Sequence, residues 1–381
     1  VDSKIYHNLS ILLDKENKFK EAMNYASKAS RIKRELAKND LETFGLCAAG
    51  SHLQYARFVS RSGAYQDAID LFYEVIDIID DLDEKNSLHH IELVANSYCI
   101  IAQTLILKNK NNVSEIKKFF KESIRLYRII YEQTPQVFDL NFTNTLNKFA
   151  SFLRVSGFYY DSKKYQLEAV EIYENRYASD PDIYKDTFIA YLNALGCSYS
   201  KIEDYLAAIK TYKKALFIIN NSDSIIIKHD DLLINLYTNI GVSYAEIGMV
   251  DESHSFYKKA ESTFNQTDSI IGISTKLNLE SSIARYYVIK DDFPNAIKHY
   301  INVLNDIKET KYNNDFFTAE CLGQLGFSLL SVSNYSDAES KLKESISILK
   351  TLSFEKRKKR LSEFSGYLED VRNRIESGRK H

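Results

Sequence analysis

The chain has 381 residues, more than one ordinary core absorbs, so it is either several domains or a one-dimensional array. Its 50 basic and 52 acidic residues nearly cancel, which argues against a nucleic-acid binder acting through the whole chain. With only 3 Pro and 12 Gly there is no evident linker, and continuous helix with short connections is favoured.

The longest apolar runs, such as Ile225–Ile227, are far too short to span a membrane, and no signal-peptide pattern opens the sequence. A cytoplasmic location with no membrane partner is therefore expected. Cys47, Cys99, Cys197 and Cys321 are widely spaced and each falls in a predicted helix, as reduced small hydrophobes do. His89 and His90 have no further ligand at metal-binding spacing, so neither a metal nor a cofactor is expected.

Taken in order, the chain repeats one pattern. The first copy is cut short and has Tyr6, Leu9, Ser10 and Leu13, then Ala22, Ala26 and Ala29. The second has Tyr55, Ala56, Val59 and Gly63, then Ala68, Phe72 and Val75. The third is degenerate, with Ala102 and Leu105 before Ile116 and Phe120, and its internal loop, Lys108 to Ser114, reads about two residues longer than the others. The fourth has Phe149, Ala150, Leu153 and Gly157, then Ser162 and Ala169.

The fifth is the best preserved, with Leu195, Gly196 and Tyr199 before Ala208, Tyr212 and Ala215. The sixth has Ile240, Gly241, Tyr244 and Gly248, then Ser253, Tyr257 and Ala260. The seventh has Ile283, Ala284 and Tyr287, then Ala296, Tyr300 and Val303; the eighth has Leu325, Gly326 and Leu329, then Ala338, Leu342 and Ser345. The residue that opens each second helix falls at 22, 68, 116, 162, 208, 253, 296 and 338, so successive copies are 46, 48, 46, 46, 45, 43 and 42 residues apart.

Within each copy apolar residues recur at helical spacing, and polar turns such as Arg61-Ser62-Gly63 and Lys290-Asp291-Asp292 separate the helices. One hairpin cannot bury its own apolar face, so each needs a neighbour on either side. From Glu355 to Ser377 the repeat gives way to one amphipathic helix with Leu361, Phe364, Leu368, Val371 and Ile375 on a face, the expected cap for a terminal repeat. The first residue is Val inside a predicted helix, so the chain is expected to be a piece of a longer protein or one processed at its start.

The pattern of small and large residues resembles the tetratricopeptide repeat (TPR), over residues 1 to about 350. The units are longer than the family's usual one and are similar to those of kinesin light chains, bacterial peptide-sensing regulators and the sensor arms of signal-transducing ATPases. The resemblance implies an all-α, right-handed superhelical solenoid of about eight antiparallel hairpins over 1–352. Residues 353–381 then form the capping helix and tail.

No phosphate-binding glycine loop, nucleophile elbow or HExxH helix is present, so no enzyme is expected. Carboxylate pairs at Asp80-Asp81, Asp230-Asp231 and Asp291-Asp292 sit at predicted turns and read as helix caps. The acidic stretch Asp77 to Glu84 and the basic run Lys356 to Arg360 read as solvated faces.

Carrying the family's groove-lining positions over by register marks Arg57 and Arg61 in the second repeat and Asn144, Asn147, Lys148 and Arg154 in the fourth. The same register marks Asn193 in the fifth, Asn235 with Thr238 and Asn239 in the sixth, and Asn278, Ser282 and Arg285 in the seventh. Asn costs roughly half a kcal/mol against Ala inside a helix, so its recurrence on one face calls for a reason. A carboxamide both donates and accepts, and a column of them can hold an extended backbone whatever its sequence.

The expected function is therefore peptide or protein recognition in a concave groove, with no nucleic-acid partner. The alternative is the ligand- or partner-sensing arm of a larger switch, such as a STAND-type ATPase or a transcriptional regulator. Oligomeric state is not readable.

Overall fold

A computed structural model describes residues 2–82, 87–109, 112–221, 230–267, 270–352 and 356–378, and these contain seventeen helices and no strand. The helices pair as α1 (Asp2–Lys15) with α2 (Phe19–Asn39), α3 (Leu41–Arg61) with α4 (Tyr65–Asp80), and α5 (Leu88–Lys108) with α6 (Val113–Gln133). Next come α7 (Pro135–Val155) with α8 (Tyr159–Ser179), α9 (Pro181–Lys201) with α10 (Tyr205–Asn220), and α11 (Asp230–Glu246) with α12 (Val250–Gln266). The last pairs are α13 (Ile273–Ile289) with α14 (Phe293–Thr310) and α15 (Asp315–Ser331) with α16 (Tyr335–Thr351), followed by α17 (Lys356–Gly378). The fold is an all-α solenoid of helix hairpins.

By compactness the chain divides in two. One unit holds the chain as far as Phe149 with Glu171–Tyr173; the other holds Ala150–Val170 and everything from Glu174 onward. Within each unit a helix packs on its hairpin partner and on the next repeat. First helices also touch the first helix of the next repeat, as α3 does α5, and α11 does both α9 and α13.

The small-and-large pattern has a direct packing cause. A Cβ on Gly196 would lie 2.3 Å from the Tyr212 ring, one on Gly241 2.8 Å from Tyr257, and one on Gly326 2.7 Å from Leu342. Each first helix thus gives up a side chain where its second helix inserts a large one. The polar end of Tyr212 still needs a partner, and its hydroxyl donates to Cys197 Sγ at 3.4 Å.

Turns are equally regular. Each of the seven described hairpin turns holds one residue in the left-handed region: Asn17, Gly63, Gly157, Glu203, Gly248, Asp291 and Ser333. Each stands two positions before the second helix begins and five ahead of its first buried small residue, from Asn17 before Ala22 to Ser333 before Ala338. The third turn spans four residues between α5 and α6 where the others span three, one residue longer and not two; part of it lies outside the described residues.

The period shortens along the chain because α3, α5, α7 and α9 have 21 residues while α11, α13 and α15 have 17, about one helical turn less. Connections between repeats differ more. Asp40 alone separates α2 from α3, closing one helix and capping the next through Thr43 N, and Asp180 does the same between α8 and α9.

The terminal helix α17 packs on α15 and α16, with Phe364 and Val371 fully buried and the Phe364 ring where a Cβ on Gly323 would lie. The basic run that opens it is partly structural. Arg357 donates to the Lys350 carbonyl at 3.0 Å near the end of α16, and Arg360 pairs with Glu320 at 2.9 Å and Glu363 at 2.7 Å.

Of the acidic pairs, Asp81 ends α4 and Asp292 caps α14, but Asp230 and Asp231 lie inside α11, where Asp231 accepts from Gly272 N at 3.1 Å. Asp83 and Glu84 lie outside the described residues. One described helix, α5, is long and apolar enough to cross a membrane, which the search for uninterrupted apolar runs overlooked. It packs against α3, α4 and α6, with Ala95, Cys99, Ile101 and Ala102 buried.

Candidate functional site

Polar residues on the first helices form rungs between neighbouring repeats. In the first unit Arg57 Nη2 donates to Asn96 Oδ1 at 3.2 Å, and Asn141 Nδ2 donates to Glu92 Oε1 at 2.8 Å. Burial pushes the Arg57 pKa down, although Asn96 supplies an acceptor. Cys99, buried beside them, accepts from Gln103 and Thr145 through Sγ, and burial raises its pKa. Of the expected residues in this unit, Asn147 and Lys148 are half-buried and Asn144 is exposed.

In the second unit Asn239 Nδ2 donates to Asn193 Oδ1 at 3.1 Å, with Cys197 Sγ at 3.6 Å from the same nitrogen. Asn235 Nδ2 donates to Thr275 Oγ1 at 3.0 Å, and Arg285 pairs with Glu246 at 2.5 Å. Lys276 reaches Asp306 at 2.8 Å. Asn278 and Arg154 are half-buried.

Three residues marked by register stand elsewhere. Thr238 and Ser282 are buried, and the Thr238 hydroxyl bonds back to Ile234 O. Arg61 sits at the end of α3, where it holds Asp14 at 2.7 Å and lies over the Phe19 ring. The rungs use partners that register transfer did not mark, namely Glu92, Asn96, Asn141, Glu246 and Thr275. Their signal was polar residues on the same helical face.

Each rung leaves capacity over. Asn193 accepts one bond through Oδ1 and keeps its amino group, while Asn239 keeps its carbonyl oxygen as an acceptor. The face can therefore offer both donors and acceptors from carboxamides already held in place by one another.

A second polar cluster, missed in the sequence, joins three helices of the first unit. Ser30 of α2 lies 2.7 Å from His52 Nδ1 of α3, and His52 Nε2 lies 3.1 Å from Glu74 Oε2 of α4. Glu74 also pairs with Arg34 of α2 at 2.8 Å. The imidazole is 1% exposed, and burial with the nearby Arg34 charge pushes its pKa down to about 4. It is thus neutral at pH 7, with Nε2–H donating to Glu74 and Nδ1 accepting from Ser30.

The order Ser–His–Glu matches a nucleophilic relay in its contacts alone. Ser30 stands mid-helix, where backbone N–H groups are spent within the helix, so no main-chain donor faces its hydroxyl to stabilise an oxyanion. The only signal for it in the sequence was the even spacing of Ser30, His52 and Glu74, each 22 residues from the next.

Among the described residues no group of three metal-ligating side chains comes together. Sequence comparison matches the tetratricopeptide repeat at residues 3–36 and 189–220, the first and fifth copies. No curated protein matches in sequence. Among solved structures the chain is similar to the apo form of RapI, with a TM-score of 0.58, 13% identity and 99% of each chain covered.

It is also similar to a signal transduction ATPase with numerous domains (STAND) that has a tetratricopeptide repeat sensor, from Pyrococcus horikoshii, with a TM-score of 0.52 and 14% identity. That match covers 97% of this chain and 49% of the other. The apo form of the quorum sensor NprR from B. thuringiensis follows, with a TM-score of 0.51, 13% identity, and 84% of this chain against 79% of that one. At such identities the likeness is one of fold.

Proposed function

We propose that this chain, whose residues 3–36 and 189–220 match the tetratricopeptide repeat, is a non-catalytic recognition scaffold. The polar face of its first helices takes an extended peptide or protein segment. The observation that carries the reading is the Asn193–Asn239 rung, in which two half-buried carboxamides hold each other and keep a free donor and a free acceptor. Backbone-directed contacts of this kind tolerate many side-chain sequences, while Arg154, in the same unit, adds attraction for acidic side chains or a terminal carboxylate.

The test is a screen of a capped peptide library against the protein and its Asn193→Ala/Asn239→Ala variant. Peptides retained by the parent should lose at least about tenfold in affinity on the variant, with the helical circular dichroism unchanged. Equal binding by both proteins overturns the assignment to this face.

A second reading is favoured by the likeness to a STAND protein with a tetratricopeptide repeat sensor, about half of which this chain matches. In that reading the same face reports its ligand to further domains. An upstream or downstream nucleotide-binding or DNA-binding domain in the full gene supports it; a gene that ends where this chain does removes it.

A further inference from the structure

We propose that the cavity between α2, α3 and α4 binds a small oxyanion, a metabolite bearing a phosphoryl or carboxylate group, gripped by Arg31 with Arg34 and Lys38 above the Ser30–His52 pair. The cavity is about 260 Å³ and is lined by these five side chains and Tyr55, among others. It lies on the second-helix side of the first two repeats and uses none of the first-helix rungs, so it stands or falls independently of the peptide-binding reading.

Charge selects the ligand. Three cations from one helix line the cavity with one carboxylate, Glu35, and a second, Glu74, stands on the far side of the His52 ring. Glu74 holds Arg34 and Glu35 holds Lys38 at 2.8 Å, while Arg31 makes no ion pair among the described residues. An exposed, uncommitted guanidinium beside a pocket already stocked with donors is a fork for a planar or tetrahedral oxyanion.

The fold does not require a polar pair beneath these cations. At the equivalent junction between the fourth and fifth repeats, the places of Ser30 and His52 are taken by Val170 and Leu192, both buried. A buried Ser–His pair is thus an addition that this junction carries and another does without.

That addition supplies a proton switch. With an anion at Arg31, a proton taken up at His52 Nδ1 reverses the bond to Ser30: imidazolium then donates to the Ser30 oxygen, and the hydroxyl hydrogen is freed toward the anion. His52 Nε2–H stays on Glu74 throughout. Arg34 from α2 and Glu74 from α4 act on the imidazole, and Arg31, Glu35 and Lys38 from α2 line the same cavity with Tyr55 of its own helix. On the other packed elements, α5 keeps Glu92 on His89 and Asn141, and α1 keeps His7 on Ser51. Binding coupled to proton uptake tightens as pH falls.

The test follows the His52 imidazole by NMR during titration with sulfate, whose charge is constant over the range used. Sulfate is expected to shift the His52 resonances saturably, with affinity about tenfold higher near pH 4.5 than near pH 6.5. Arg31→Ala, at an exposed side chain without an ion pair, should weaken binding about tenfold with the fold intact. His52→Gln should keep binding and lose its pH dependence. Competition at neutral pH then names the source: displacement of sulfate by inorganic phosphate assigns a phosphoryl ligand, and displacement by succinate a carboxylate. Failure of both to displace it, no saturable shift at His52, or an unchanged affinity in Arg31→Ala overturns the site.

Discussion

The junction between the first and second repeats and that between the fourth and fifth occupy the same register with opposite chemistry. Arg34 and Glu74 bridge the second helices of one at 2.8 Å; Glu174 and Lys214, at the same positions, bridge those of the other at 2.5 Å with the charges exchanged. Beneath the first bridge lie Ser30 and His52, and beneath the second Val170 and Leu192. The bridge recurs whichever partner carries which sign, so it belongs to the way second helices are spaced. The buried layer under it is free to differ, and that is where individual repeats acquire properties of their own.

The apolar junction breaks hardest. Leu192→Ala, at a 2% exposed side chain, should cost about 2–5 kcal/mol in chemical denaturation, whereas a loss below about 1 kcal/mol would mean that this layer contributes little. The polar junction should instead respond to acid. The folded chain withholds a proton from His52 until about pH 4, while the unfolded chain accepts one near pH 6.5. Stability from this group is therefore complete above pH 6.5 and falls on acidification by about 3 kcal/mol, levelling off below pH 4.

Urea titrations across that range, with Ser30→Val/His52→Leu as reference, isolate the effect: the two proteins should keep a constant difference above pH 6.5 and diverge below it. The same double variant sharpens the comparison at neutral pH. Converting the polar layer to the apolar one should leave stability within about 1.5 kcal/mol of the parent, or raise it. His52→Ala alone strands Ser30 and should lose about 1–3 kcal/mol.

The smallest effect belongs to the bridges. Both partners of the Lys214–Glu174 pair are over two-fifths exposed, so Lys214→Ala should cost only about 0.2–1 kcal/mol in the same assay.

What could be read without coordinates follows from where each interaction is local. Gly196 with Tyr212 and Gly241 with Tyr257 are contacts inside one hairpin, and their spacing recurs, so the repeat and its packing were visible. The cap was visible for the same reason, since Leu361, Phe364 and Val371 share one helical face. Contacts between hairpins carry no such period. Register marked Asn193 and Asn239 as sharing a face but could not say that they bond to each other, nor that Arg57 would find Asn96. Thr238 and Ser282 were misplaced because a groove position one step around the helix is a core position, where the Thr238 hydroxyl is satisfied on its own helix backbone. Ser30, His52 and Glu74 come from three helices, and nothing about any one of them announces the other two.

In each of the seven described turns the left-handed residue stands two positions before the second helix begins, so the start of that helix is fixed against its partner. One codon added inside a second helix would rotate the remainder of that helix by about 100° and swing its buried stripe away from its partner. Codons added after a second helix disturb no such phase, which is why that connection is a single residue at Asp40 and at Asp180 yet several residues between α12 and α13. The hairpin is the word that evolution copies whole; spelling changes in length accumulate in the spaces between words.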